Sequence, residues 1–175
     1  MQLLNPRKFD PKAFKDRASG ELLLKTIDFF EKKGKAKLKH DDQERTWYQD
    51  FLEFSKESGL FSTFLTPTDY NSGARWDTYR NCHLNEILGF YGLPYWYTWQ
   101  VTILGLGPIW MSKNEEIKKR TADLLKKGEV FGFGLSEKDH GADIYSTEMK
   151  IELNGAGGYN ANGRKYYIGN GNKAA

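Results

Sequence analysis

Residues Lys127 to Asp143 read K-G-E-V-F-G-F-G-L-S-E-K-D-H-G-A-D, and the periodicity of the whole chain changes across them. Before this stretch apolar residues recur at helical spacing; after it they alternate. Gly128 closes a helix and Val130 opens a strand, which turns into a polar loop holding Ser136, Glu137, Asp139, His140 and Asp143. Phe131, Phe133 and Leu135 alternate with glycines and Ser136, a pattern that lets something flat lie close to the backbone. A junction of this kind is a natural place for a cleft. The fold class that follows is α+β, with an all-α domain over residues 1–128 and the beginning of a β domain over 129–175.

Working back from Gly128, the helix before it is the best marked in the chain. Asn114 caps it, Glu115 and Glu116 fill the first turn, and Lys126 and Lys127 fill the last, matching the helix dipole at both ends. Ile117, Thr121, Leu124 and Leu125 are its expected inner face. Upstream, Pro94 permits a new start, and Tyr95 to Trp110 is apolar almost all round, as in a helix buried between others. Its G-L-G-P at Gly105 to Pro108 follows no strand and lacks the spacing of a dinucleotide fingerprint, so it serves close helix approach or a bend. A further helix from Arg75 places Trp76, Tyr79, His83, Ile87 and Tyr91 on one side. His83 has no second ligand at useful spacing and reads as a packing histidine, and Cys82 as a buried thiol.

The segment Phe61 to Gly73 reads as a loop. Asp42 is the expected cap of a helix with Trp47, Phe51 and Phe54 on one stripe, ending near Gly59. Ser19 is the expected cap of the first helix, which carries Leu23, Ile27 and Phe30 and runs through Lys33. Between them lies K-K-G-K-A-K-L-K-H (Lys32 to His40), read as a solvated linker because it lacks the interleaved aromatics of a nucleic-acid patch. Residues before Ala18 form an arm with at most a short turn.

Working forward, Thr147, Met149, Ile151 and Leu153 alternate with Glu148, Lys150 and Glu152. Asn154-Gly155 and Asn162-Gly163 mark turns, Tyr159 a short strand, and Lys165 to Ile168 the next one. Such a meander is marginal by itself, so the β part is expected to be the start of a larger domain.

The composition narrows the function. A net charge of +3, from 26 basic and 23 acidic residues, is too small to imply nucleic acid. The single cysteine excludes an internal disulfide and suits a reducing compartment. The N-terminus lacks the order of a signal peptide, and glycines and prolines break the densest apolar run, Ile87 to Trp110. A cytoplasmic protein with no membrane span is expected.

Three stretches carry a family resemblance: the helix E-E-I-K-K-R-T-A-D-L-L-K-K-G-E, then F-G-F-G-L-S-E-K-D-H-G-A-D, then N-G-R-K-Y-Y-I-G-N-G-N-K-A. In order and spacing they resemble the acyl-CoA dehydrogenase and oxidase superfamily, from about the second helix to Ala175. Ser136-Glu137 and Gly141-Ala142-Asp143 stand for its T-E-x-x-x-G-S-D motif. Asn162-Gly163, Lys165, Tyr167-Ile168-Gly169 and Asn170-Gly171 stand for N-G-x-K-x-W-I-T-N-G. The resemblance implies an N-terminal helical domain, the start of a middle β-barrel, and a C-terminal helical bundle lying outside this sequence. It implies FAD as cofactor, with Phe133, Leu135 and Ser136 presenting backbone and hydroxyl groups to the flavin. Tyr167 takes the place of the aromatic that packs on the ring, and Gly169 that of a threonine whose hydroxyl approaches it. Trp96, Gln100 and Leu104 would line an acyl-chain pocket, and Ala142 stands where a serine usually helps hold cofactor or substrate.

The implied chemistry is α,β-dehydrogenation of an acyl-CoA, with an electron-transfer flavoprotein or oxygen as acceptor and a homo-oligomeric assembly. The resemblance puts the catalytic carboxylate beyond residue 175, so no residue here is catalytic, and none is read as a metal ligand. His140-Gly141 resembles the oxidase version of the motif. Two rivals stand beside this reading. Ser136, Asp139 and His140 could suggest a hydrolase triad, but residues this close on one loop rarely reach its geometry, and no nucleophile elbow is present. A helical interaction module without catalysis is the other.

Overall fold

The computed structural model describes residues 4–14 and 16–175. Met1 to Leu3 and Lys15, part of the expected N-terminal arm, lie outside the described residues. The rest of the arm forms two 3-10 turns, Pro6–Lys8 and Pro11–Ala13, capped by Asn5 and Asp10.

Helix α1 (Arg17–Gln43) is capped by Asp16, whose carboxylate accepts the Ser19 amide at 3.3 Å, rather than by Ser19 itself. Ser19 is instead buried, its hydroxyl donating to Asp16. Leu22, Leu23, Thr26, Ile27 and Phe30 form the inner face. Gly34 breaks the helix at φ +77, and the expected linker after it is a second helical stretch. Lysine, alanine and leucine are strong helix formers, so the chain resumes the helix once glycine has made the bend. Lys33 fastens the bend, its ammonium lying 3.0 Å from Asp41 and 2.6 Å from Asp50. Burial alone would depress this lysine's pKa; hydrogen bonds to Asp50, the Tyr95 hydroxyl and Asp41 outweigh it and raise the pKa. Asp42 therefore sits inside α1, and α2 (Gln49–Ser58) begins seven residues later than that expected cap.

Gly59 ends α2 in the left-handed conformation, φ +68, and the expected loop after it opens with a helix, α3 (Leu60–Leu65). Six residues are too few to show a period, yet Leu60, Phe61, Phe64 and Leu65 are all buried. Helix α4 (Thr78–Tyr91) is capped by Asp77 and buries Arg80, Asn81, Leu84, Ile87 and Leu88. That stripe differs from the expected one: Tyr79 is 62% exposed, and its ring meets His83, which also packs edge-on against Phe14 of the arm. Cys82 is exposed, not buried.

Helix α5 (Leu93–Met111) starts with Pro94 in its first turn and runs through Pro108. Trp99 is fully buried at the centre of the core, against Phe61 and Phe64. Helix α6 (Glu115–Lys126) has the expected Asn114 cap, buries Thr121, Ala122 and Leu125, and leaves Ile117 46% exposed.

Past Gly128 the chain becomes irregular and then forms an antiparallel hairpin of β1 (Lys150–Leu153) and β2 (Tyr159–Asn162), with Lys150 opposite Asn162 and Leu153 opposite Tyr159. The sequence leads one to expect strands at Val130–Leu135 and Lys165–Ile168 as well. Neither forms a ladder among the described residues; one backbone bond, from the Tyr166 amide to the Ser136 carbonyl at 2.9 Å, and one from the Lys165 ammonium to the Leu135 carbonyl at 3.0 Å join the two stretches. The architecture is a helical region followed by the start of a sheet domain. No helix among the described residues is long and apolar enough to cross a membrane.

Candidate functional site

The stretch after Gly128 lies against α5, because α5 offers it a bare surface. A Cβ on Gly105 would stand 2.5 Å from the carbonyl oxygen of Gly132, closer than real side chains come. Val130 and Phe131 are buried there, and the Phe131 amide donates to Thr102 Oγ1 at 3.4 Å. From Phe133 onward the chain rises to the surface: Phe133 and Ser136 are half-buried and Leu135 is 37% exposed.

The second half of the site is fixed by Asn170. This residue is buried and holds a left-handed backbone at φ +59, where asparagine is among the few residues tolerated. Its Oδ1 accepts from Thr98 Oγ1 at 2.8 Å. Its Nδ2 faces the Thr98 carbonyl at 3.1 Å, Thr102 Oγ1 at 3.3 Å and the Phe131 carbonyl at 3.0 Å. Gly169 next to it is pressed onto α5, where a Cβ would meet Tyr97 and Val101 at 2.8 Å. A side chain at Gly169 would require Tyr97 and Val101 to shift. Tyr167 also has a positive φ, +58, and is 85% exposed. Ala175 closes the segment by donating to the Val130 carbonyl at 3.0 Å.

A polar joint sits at the far end. Glu137 is 7% exposed and accepts the Glu148 and Met149 amides at 2.8 and 3.0 Å and the Lys165 ammonium at 2.8 Å. Lys165 donates also to the Leu135 carbonyl at 3.0 Å. Lys165 first, and then the two amides, hold the Glu137 carboxyl down at about 2. His140 Nδ1 lies 2.9 Å from Asp143, which raises the histidine pKa. Ligand atoms of Glu137, His140 and Glu148 lie within 4.8 Å of one another. A cation there would have to displace Lys165, so the group works as an ion-pair network.

Trp96, Gln100 and Leu104 share one face of α5, the first two half-buried and Leu104 44% exposed; Ala142 is exposed on the loop before the hairpin. Gly169 touches the same helix through Tyr97 and Val101. The structure thus brings the expected cofactor segments and the expected substrate helix together, while Ala142 lies on a separate loop. Two concavities, of about 510 and 610 Å³, lie elsewhere, one between the end of α1 and the α4–α5 corner, the other beside Arg75 and Arg80. Asn170, Thr98 and Thr102 carry the joint yet escape a reading of the sequence, which sees Asn170-Gly171 as part of a motif. The available signal was a pair of threonines at i and i+4 on an otherwise apolar helix.

No family model matches the sequence, and no curated protein does. Two solved structures share its fold. A chain in the structure of the electron transferring flavoprotein of Acidaminococcus fermentans, described in connection with flavin-based electron bifurcation, superposes with a TM-score of 0.78 and 25% identity. That likeness covers 92% of this chain and 42% of the other. An acyl-CoA dehydrogenase from Bacillus anthracis, complexed with FAD, gives a TM-score of 0.71 and 24% identity over 98% of this chain and 29% of its own. The chain spans less than half the length of either. The likeness is one of fold: the chain folds like the parts of these two proteins that it covers.

Proposed function

We propose that the chain is the N-terminal part of an FAD-dependent acyl-CoA dehydrogenase, with its helical domain ending at Gly128 and a β domain beginning at 129. The observation that carries this is the meeting of the Phe131–Ser136 and Tyr166–Asn170 segments with each other and with α5, through Thr98, Thr102, Tyr97 and Val101, in a fold shared with an FAD-complexed enzyme. The residues present fit the cofactor. Among the described hydrogen bonds, the amides of Phe133, Gly134 and Ser136 donate to no protein acceptor, so they remain free for the carbonyl and nitrogen acceptors of a flavin ring. Gly134 is exposed and brings no side chain between backbone and ligand.

In this reading Phe133, Leu135 and Ser136 orient the flavin, and Tyr167 packs on it. Gly169, packed closely on Tyr97 and Val101, contributes close backbone approach alone. Trp96, Gln100 and Leu104 line the acyl pocket, and Ala142 lies at its CoA side. Bound FAD supplies the hydride acceptor for the β-carbon of an acyl-CoA thioester. The α-proton goes to a carboxylate from outside residues 1–175. The protein so completed would be a cytoplasmic homo-oligomer that passes electrons to an electron-transfer flavoprotein. His140-Gly141 favours a second reading of the same site, an acyl-CoA oxidase with oxygen as acceptor.

The complete gene product should purify yellow, and the 175-residue chain alone should hold FAD only weakly. A colourless complete protein that cannot be reconstituted with FAD overturns the proposal. Reduction of its flavin by acyl-CoA under anaerobic conditions, followed by reoxidation in air or only by a flavoprotein acceptor, separates oxidase from dehydrogenase.

A further inference from the structure

Asn170 makes four polar contacts, and they reach two different elements. Three go to Thr98 and Thr102, one helical turn apart on α5 and on either side of Gln100 along the chain. The fourth goes to the carbonyl of Phe131, two residues before Phe133. Thr102 Oγ1 is shared: it donates to the Thr98 carbonyl at 2.8 Å and accepts from both Asn170 and the Phe131 amide. Both polar groups of the Phe131 peptide are therefore engaged by this one cluster. Beside it Gly105 and Gly132 meet without side chains, so the backbone of the stretch lies directly on α5. A polar group in the interior is costly when unpaired and directional when fully paired, so such a cluster fixes position better than apolar contact does.

We infer that Asn170 is a positioning residue, which sets the flavin-facing stretch 133–136 in register against the acyl-facing surface of α5. The distance between cofactor and substrate is then determined by a residue that touches neither. The inference rests on the proposed flavoenzyme reading for its functional consequence, and on geometry alone for the positioning.

The test is Asn170→Gly in the complete gene product, because glycine accepts the left-handed backbone and removes only the side chain. FAD affinity is measured by equilibrium dialysis, the flavin environment by its absorption bands, and the Phe131 amide by hydrogen exchange. Binding should weaken at least tenfold, the bands should shift, and Phe131 should lose its protection while the amides of α1 and α6 keep theirs. Asn170→Asp, which keeps the acceptor for Thr98 but loses the two N–H donors that Nδ2 shares among its three acceptors, should behave like the glycine variant. Thr98→Val removes one bond and should weaken FAD less; it keeps the test open if Asn170→Gly does not fold. Unchanged FAD affinity and spectrum in folded Asn170→Gly or Thr98→Val, or a Phe131 amide still protected, overturns the inference. A wild-type protein that takes no FAD overturns the proposed function instead, and Phe131 exchange still decides the positioning.

Discussion

The helical region and the segment after Gly128 are held together by different physics. Residues of α1 to α6 enclose a continuous apolar core, with Leu23, Phe30, Phe51, Phe64, Leu84 and Trp99 all at 0% exposure. After Gly128, the buried residues are Val130, Phe131, Glu137 and Asn170, and both strands of the hairpin are exposed along their length. The first region is stabilised by area removed from water, which is non-directional and tolerant of small shifts. The second joins that core only through Val130 and Phe131 and is otherwise held by a few directional polar joints, which tolerate little displacement. A chain arranged this way can keep its scaffold while the part that would meet a cofactor is adjusted.

That contrast breaks most visibly in the core. Trp99→Ala or Phe51→Ala should cost about 3–5 kcal/mol in urea unfolding, because each deletes a fully enclosed ring. A loss under 1 kcal/mol would mean that the aromatic cluster is not the source of stability. At the seam, Gly105→Ala sets a methyl against the Gly132 carbonyl and should cost about 1–3 kcal/mol. The loss of amide protection should concentrate at Phe131. If it spreads evenly over α1 to α6, the two regions are one cooperative unit.

The polar joint at Glu137 should show in pH. Its carboxyl ordinarily titrates at 4.5 and is held here at about 2, so its contribution is fully present above 4.5 and disappears as pH falls through 2. Exchange of the Glu148 and Met149 amides, both bound to that carboxylate, should rise over this window while the α5 amides stay protected. Glu137→Gln should give fast exchange at neutral pH as well. The smallest effect is expected on the hairpin: Ile151→Thr, at a position 67% exposed, should change stability by no more than about 0.5 kcal/mol.

Legibility in the sequence followed the same division. The last helix could be read almost to the residue because its cap, first-turn acids and last-turn lysines act locally, within one turn of the chain. Helix α1 departs from the sequence expectation at both ends for a physical reason: Asp16 competes with Ser19 for the cap, and a glycine break followed by lysines looks like a linker until Asp41 and Asp50 are placed beside Lys33. Helix α3 is stabilised by burial of five of its six residues, four of them apolar, which no local pattern of that length records. Around the candidate site, the strand and motif residues could be named, but the bonds that assemble them could not. Asn170 and Thr98 are 72 positions apart, and nothing in either neighbourhood announces the other.

The hairpin has one more consequence, and it concerns concentration. Ile151, Leu153, Tyr159 and Ala161 share one face in register, opposite a face of Lys150, Glu152, Asn160 and Asn162. Water meets the apolar side, and each strand has an unpaired outer edge among the described residues. Such an edge is a template for a second strand, and the rate of finding one grows with the square of the protein concentration. The chain should therefore sediment as a monomer when dilute and as a growing series of oligomers when concentrated. Substitutions such as Ile151→Thr that leave stability alone should still lengthen its life on the bench.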